Sequence, residues 1–147
     1  MQRLSLAALV AAVLACGGSD KEKFTATLDG ASERPTPVTT TASGSATFTV
    51  NGANLDYTIT ATALSSNASA AHIHAPAAAD AATGVYIGLT ITAGGTSLTN
   101  SGTIAAADLA SPKSMTELLK HIRDGNAYVN VHTSTNPSGE IRGQIKK

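Results

Sequence analysis

Residues 46–63 read Ala-Thr-Phe-Thr-Val-Asn-Gly-Ala-Asn-Leu-Asp-Tyr-Thr-Ile-Thr-Ala-Thr-Ala, and apolar and polar side chains alternate on both sides of the Asn-Gly-Ala-Asn segment. Successive side chains of a β-strand point to opposite faces of a sheet, so this period of two predicts strands with one buried face. An Asn-Gly pair between two such runs is typical of a tight hairpin turn. The stretch therefore predicts an antiparallel hairpin whose solvent face is lined with threonine.

The same alternation recurs along most of the chain. It is clear in the segments 24–29, 85–92, 128–132 and 140–145, and weaker at 97–104. Abundant threonine and glycine also favour strands and turns over helices. Seven or eight short strands predict an all-β fold, an antiparallel β-sandwich of the immunoglobulin-like or superoxide-dismutase-like kind.

One short α-helix is predicted near residues 114–124. Ser114 and Glu117 form a capping-box pattern, in which the serine caps the helix and the glutamate reaches back to the serine amide. Gly125 is placed to end the helix. The apolar side chains follow at helical spacing and form one face: Met115, Leu118, Leu119 and Ile122.

The first 15 residues have the features of an export signal. An apolar run from Leu4 to Leu14 follows Arg3 and is too short for the roughly 20 residues that cross a bilayer. It ends in Val-Leu-Ala-Cys-Gly-Gly, which resembles a bacterial lipobox. We therefore expect residues 1–15 to be removed, Cys16 to carry a lipid, residues 16–23 to be a flexible tether and 24–147 to be the domain. An ordinary signal peptide, with Cys16 a chance thiol, is the alternative.

The predicted anchor also indicates a location. The residue after Cys16 is Gly17 and not aspartate, which by analogy with lipoprotein sorting in Gram-negative bacteria indicates the outer membrane. We expect an exported, lipid-anchored protein of the cell envelope.

Charge and motif content exclude several functional classes. The chain has ten Lys and Arg against ten Asp and Glu, and such a balance does not suit nucleic-acid binding, which needs clustered cations. There is no phosphate-binding glycine loop, cofactor fingerprint or motif that places a nucleophile beside a base. We expect a monomer without catalytic residues or a tightly bound organic cofactor.

Three segments depart from the threonine background on their polar side. The segment 71–74 places His72 and His74 on one side, with Ile73 on the other. The last two strands form a predicted hairpin joined by Asn-Pro-Ser-Gly at 136–139, which suits a type I turn. Their polar positions are expected on one sheet face: Tyr128, Asn130, His132, Glu140, Arg142 and Gln144.

Three interpretations of this face remain open at this stage. In the first, His72, His74 and His132 bind copper or zinc, and Glu140 ligates the ion or orients a ligand. In the second, the imidazoles, Asn130, Glu140 and Arg142 form a structural polar network beneath loop 75–84, with an Arg142–Glu140 pair. In the third, Tyr128 and Arg142 contact a protein or glycan ligand. A His-x-His strand also occurs in copper–zinc superoxide dismutase, although this likeness is only at the level of the fold.

The chain resembles the CHRD domain family, named for its repeats in chordin. The resemblance rests mainly on Ala-His-Ile-His-Ala-Pro-Ala at 71–77, Gly-Asn-Ala-Tyr-Val-Asn-Val-His-Thr at 125–133 and Asn-Pro-Ser-Gly-Glu-Ile-Arg-Gly-Gln at 136–144. It extends over roughly 24–145. The family usually has glycine where this chain has Ala75, which puts the turn there in doubt. It also usually has adjacent prolines where this chain has Pro35-Thr36-Pro37.

The resemblance implies an extracytoplasmic binding or structural module without naming its ligand. We therefore expect a lipid-anchored, non-catalytic module of the cell envelope. The alternative is a copper or zinc protein that uses the three histidines, and a more remote one is an enzyme in which that metal acts as a Lewis acid.

Overall fold

The computed structural model describes residues 21–92 and 94–147. The predicted signal peptide, the predicted lipidated Cys16 and most of the predicted tether lie outside the described residues. No helix in the described part of the chain is long and apolar enough to cross a bilayer.

Eight strands and one α-helix make up the described chain, and the prediction of an antiparallel all-β fold is confirmed. The helix α1 spans Met115–Arg123, and a short 3₁₀ helix spans Ala106–Asp108. The strands are β1 (Lys23–Asp29), β2 (Ser43–Asn51), β3 (Asn54–Thr62), β4 (Ala68–His74), β5 (Val85–Leu89), β6 (Leu98–Ile104), β7 (Tyr128–Thr133) and β8 (Ile141–Gln144). The first strand begins at Lys23, one residue before the predicted start of the domain.

The strands form one antiparallel sheet in the order β5-β4-β7-β8-β1-β2-β3-β6. The sheet wraps around its own buried face into a nearly closed sandwich, and Tyr57 on β3 connects the two ends. Its hydroxyl accepts from the amide of Thr90, just after β5, at 2.9 Å and donates to the carbonyl of Thr90 at 3.1 Å. Gly102 on β6 makes room for the ring, because a Cβ there would lie 2.6 Å from the tyrosine oxygen.

The core consists of the apolar positions that alternate along the strands. Buried and more exposed residues alternate along β1 and β3, and threonine occupies most of the more exposed positions. The largest buried side chains include Phe24, Phe48, Ile59, Ile73 and Ile141. The period-two pattern therefore identified the inward face of β1 and β3 correctly, whereas in β5 Val85 is 42% exposed and Tyr86 is buried.

Two predicted turns are confirmed. Asn51 and Asn54 pair directly across the β2–β3 hairpin, and Gly52 has the positive φ of 62° that this tight turn requires. In the β7–β8 link the amide of Gly139 donates to the carbonyl of Asn136 at 3.1 Å, the bond that closes the predicted turn.

The helix is confirmed, but its predicted capping box forms only in part. The amide of Glu117 donates to the Ser114 side chain at 3.2 Å, as expected for a cap. The Ser114 amide does not donate to Glu117, because it donates to the Tyr86 hydroxyl at 3.1 Å. Packing of β5 against the helix N-terminus therefore replaces the second half of the box.

Loop 75–84 is irregular, as predicted, with one turn closed by the Ala81 amide and the Ala78 carbonyl at 3.1 Å. Ala75 does not need the freedom of glycine. Among the described non-glycine residues only Ala63, at 54°, has a positive φ.

Candidate functional site: the histidine face

Strand pairing brings the predicted polar positions of three strands onto one outer face. His72 lies opposite Asn130, and Asn130 lies opposite Arg142. One step along, His74 lies opposite Tyr128, and Tyr128 lies opposite Gln144. We call this surface the histidine face, defined by His72, His74, Tyr128, Asn130, His132, Arg142 and Gln144.

The three histidines of this face form a compact cluster. Each offers one ring nitrogen, and these nitrogens all lie within 4.8 Å of one another. Nδ1 of His72 lies 2.9 Å from Nε2 of His132. His74 is buried, whereas His72 and His132 are half-buried. The cluster can therefore be reached from solvent at one side.

Backbone carbonyls determine the proton positions on two of the rings. Nδ1 of His74 lies 2.8 Å from the carbonyl oxygen of Thr83, and Nδ1 of His132 lies 3.0 Å from that of Pro137. A carbonyl oxygen only accepts, so both Nδ1 atoms carry the proton. In neutral rings both Nε2 atoms are then unprotonated and carry a free lone pair. Carbonyl partners fix the same tautomer in metal-binding histidines.

Burial keeps the three imidazoles neutral. Burial first, and then the neighbouring His132 and His74, lower the pKa of His72 to about 4. Burial also lowers the pKa values of His74 and His132 below the usual histidine value. A buried cluster disfavours the charged ring, and a neutral ring is the form that binds a metal.

The side chain of Asn130 lies at the centre of the face. Its Oδ1 is 3.2 Å from Nε2 of His74 and 3.0 Å from Nε2 of His132. With the tautomers described above, two nitrogen lone pairs and one amide oxygen converge on a small space. Three acceptors that face one another favour a proton or a cation between them.

Arg142 and Gln144 attach loop 75–84 to the face. Nη2 of Arg142 donates to the carbonyls of Ala78, Ala79 and Ala81 at 3.2, 3.4 and 2.7 Å. Nε2 of Gln144 donates to the carbonyls of Ala77 and Gly125 at 2.8 and 2.7 Å. The guanidinium carbon of Arg142 lies 3.5 Å from the centroid of the Tyr128 ring.

The loop therefore encloses the residues proposed for ligand recognition. Tyr128 and Arg142 are buried, and the Tyr128 ring stacks on His74 at a centroid distance of 4.5 Å. Contact of either side chain with a large partner would require loop 75–84 to move.

The structure places Glu140 apart from the histidine cluster. It precedes β8, and its carboxylate accepts from Thr40, from the Thr133 hydroxyl, and from both the amide and hydroxyl of Ser65, all at 2.7–2.8 Å. Burial alone would raise its pKa, but these bonds outweigh burial and lower the pKa to about 2. The metal cluster contains the three histidines without Glu140.

The expected Arg142–Glu140 ion pair does not form in the described structure. Strand alternation would have put both side chains on one face, but Glu140 lies before the regular strand and turns to Thr133, beside the core-facing positions of β7. Its four hydrogen bonds satisfy the carboxylate locally, so Arg142 interacts with the loop instead.

Glu33 is a buried residue of this region that sequence patterns do not single out. It lies in the loop after β1, is only 3% exposed, and packs against Gly139 and the Asn130 amide. Burial raises its pKa to about 7, although Arg142 and Asn130 oppose the shift. A lone glutamate in a polar loop is normally exposed, and only its position in the CHRD-like opening 28–33 could have drawn attention to it.

Comparison with known proteins gives a consistent family signal. The CHRD domain model matches residues 24–145, which confirms the resemblance inferred from the three motifs. A segment of 29 residues, 20% of this chain, is 59% identical to Chordin of Danio rerio and covers 3% of that protein. The chain thus matches a small fraction of chordin's length. No solved structure matches the chain significantly.

Proposed function

Because this chain belongs to the CHRD domain family, we propose that it is a non-catalytic binding module that acts outside the cytoplasm. We further propose that the histidine face binds a copper or zinc ion through His72, His74 and His132. The family supports the first part, and the geometry of the three imidazoles supports the second.

The observation that carries the metal proposal is the convergence of lone pairs. Carbonyls hold the Nδ1 protons of His74 and His132 in place, so both Nε2 atoms point unprotonated toward Asn130 Oδ1. Neutral imidazoles are good ligands for zinc and copper, and three of them leave a position open for water or a small ligand.

Ion binding would need a small rearrangement. Two nitrogens bonded to one ion at about 2.0–2.1 Å can be no more than about 4.2 Å apart. The present nitrogens extend to 4.8 Å, while the His72–His132 pair is hydrogen-bonded at 2.9 Å. At the tetrahedral angle two such nitrogens lie about 3.4 Å apart, so the widest pair must close by up to about 1.4 Å, and His72 must release its bond to His132. Rotation of the half-buried His72 ring would release this bond.

A metal titration tests this proposal. Protein purified without a chelating tag is titrated with copper and with zinc, and we expect one ion per chain at micromolar or lower concentration. The triple variant His72→Ala, His74→Ala, His132→Ala should lose this binding. His121→Ala is the matched control, because it removes a histidine of α1 outside the face and should bind as the wild type does.

The outcomes separate the two main interpretations of the face. Wild-type protein that binds neither ion at micromolar concentration would overturn the metal proposal. The Asn130 side-chain amide would then be flipped, so that its NH₂ group donates to both rings and the face is a structural network. If the triple variant fails to fold, the single variant His72→Ala takes its place, since the other two rings keep their carbonyl partners. Its affinity should fall at least ~10-fold, and unchanged affinity would count against the site.

We also propose that the module is attached to the outer membrane of a Gram-negative envelope by a lipid on Cys16. The lipobox-like segment and the short apolar run before it support this. Mass spectrometry of the mature N-terminus tests it, and we expect a lipid-modified Cys16 as the first residue. An unmodified cysteine or an uncleaved leader would contradict the anchor.

A further inference from the structure

A basic pocket lies beside the histidine face, over strands β1 and β8. Its volume is about 280 Å³. Three cationic side chains and three hydroxyls contribute to the lining: Arg34, Arg142, Lys146, Thr25, Thr27 and Ser32. No carboxylate among the described residues lines it. We call it the arginine pocket.

Arg142 is the buried wall of this pocket and is incompletely satisfied. The residue is 1% exposed, and Nη2 makes all of its bonds to the carbonyls of loop 75–84. Its Nη1 is buried and has no hydrogen-bond partner among residues 21–92 and 94–147. A buried guanidinium donor without an acceptor is costly, so this nitrogen favours an anionic partner.

Glu33 supplies only part of the counter-charge. It attracts Arg142 electrostatically, but no hydrogen bond joins the two groups, and Oε1 of Glu33 is itself buried without a partner. Burial raises the pKa of its carboxyl to about 7, so the uncharged form persists to near neutral pH. Glu33 therefore balances the charge of Arg142 only in part.

We propose that the arginine pocket binds a phosphate or sulfate group. Arginine nitrogens form strong, charge-assisted bonds to such oxyanions, and half-buried Arg34 and exposed Lys146 would attract the anion. The hydroxyls of Thr25, Thr27 and Ser32 offer further donors. The pocket exceeds the size of a bare ion, so the group can be free or the terminal group of a sugar phosphate.

Matched single variants test the pocket. Calorimetric titration with inorganic phosphate at constant ionic strength should give saturable binding with a Kd of about 1 mM or tighter. Lys146→Gln should weaken it at least ~3-fold, and Arg34→Gln likewise, because each removes one pocket cation. Lys147→Gln is the control: it removes the same charge one residue away, outside the pocket, and should change the Kd by less than ~2-fold.

Nuclear magnetic resonance locates the anion. Phosphate should shift the amide signals of Thr25 and Thr27 in the wild type and shift them less in Lys146→Gln. A separate titration with glucose 6-phosphate distinguishes the two sources, since tighter binding than inorganic phosphate indicates a carried group and equal binding indicates the free anion. Binding that does not saturate, or equal weakening by Lys146→Gln and Lys147→Gln, would overturn the proposal. Neither variant alters the three histidines, so this result is independent of the metal titration.

Discussion

The most unusual single residue is the buried Glu33 carboxyl. Burial raises its pKa to about 7, while Arg142, Asn130 and Arg34 act in the opposite direction. An unfolded glutamate titrates near its model value of 4.5. Between these two pH values the folded chain holds a proton that the unfolded chain has lost. The contribution of Glu33 to stability is therefore complete below the unfolded pKa and declines as pH rises to about 7.

Glu33→Gln tests this assignment, because glutamine imitates the protonated carboxyl at every pH. Relative to the wild type, the variant should gain up to about 3 kcal/mol in the free energy of unfolding between pH 4.5 and 7.5. Urea unfolding of both proteins at pH 4.5, 6 and 7.5 measures the difference. A difference that stays constant over this range would show that Glu33 has an ordinary pKa.

At the scale of elements, loop 75–84 depends on side chains from strands that are distant in sequence. Arg142 and Gln144 of β8 donate hydrogen bonds to four backbone carbonyls of the loop and to that of Gly125. His74 of β4 donates to the carbonyl of Thr83, which is also in the loop. The loop has no ladder of its own, so these bonds determine its position. The outer face of β3 and β6 is different, because its Thr58–Ser101 contact at 2.8 Å is solvent-exposed.

This contrast predicts unequal effects of truncation. Arg142→Ala and His74→Ala should each lower stability by about 1–3 kcal/mol, since buried acceptors lose their donors. Thr58→Ala should cost within about 0.5 kcal/mol. Thermal unfolding compares the stability of the three variants. Hydrogen exchange in loop 75–84 should be faster in Arg142→Ala and in His74→Ala, but not in Thr58→Ala. Equal melting temperatures for all three would contradict the assigned role of the loop contacts.

At the scale of the whole molecule, closure of the sheet depends on side chains where backbone pairing ends. The strands β5 and β6 stand at opposite ends of the strand order, and the Tyr57 hydroxyl bridges toward Thr90 from β3. Tyr86 plays a comparable part elsewhere, because its hydroxyl bonds both the amide and carbonyl of Ser114 at the start of α1. Each tyrosine thus joins two units that share no ladder.

Removal of the two hydroxyls should produce separate local effects. Tyr57→Phe keeps the buried ring but loses both bonds to Thr90, which should cost about 1–2 kcal/mol and speed hydrogen exchange near β5 and β6. Tyr86→Phe is the matched control, with a similar cost and faster exchange at the start of α1. The same exchange pattern in both variants would mean that Tyr57 does not hold the closure.

Local patterns in the sequence were sufficient to predict the strands, the hairpin turns, the helix and the orientation of His72 and His74. Alternation and capping act over a few residues, so their causes lie in neighbouring positions of the chain. The turn at 136–139 also predicts that β7 pairs with β8, but the sequence alone does not determine that β4 lies in the same sheet. The structure shows that β4 pairs with β7.

The polar partners, by contrast, depend on contacts across long stretches of chain. The Glu140 carboxylate accepts hydrogen bonds from Thr40, Ser65 and Thr133, and the Ser114 amide donates to the Tyr86 hydroxyl. No rule of sequence spacing indicates either set of partners. Glu33 packs beside Asn130 of the histidine face, although the two residues are about 100 positions apart in the sequence. Alternation determines which side of a strand a residue occupies, since that follows from backbone geometry alone. The hydrogen-bond partner of a buried polar group depends on which distant segment closes over it, and that choice is made only when the whole sheet has folded.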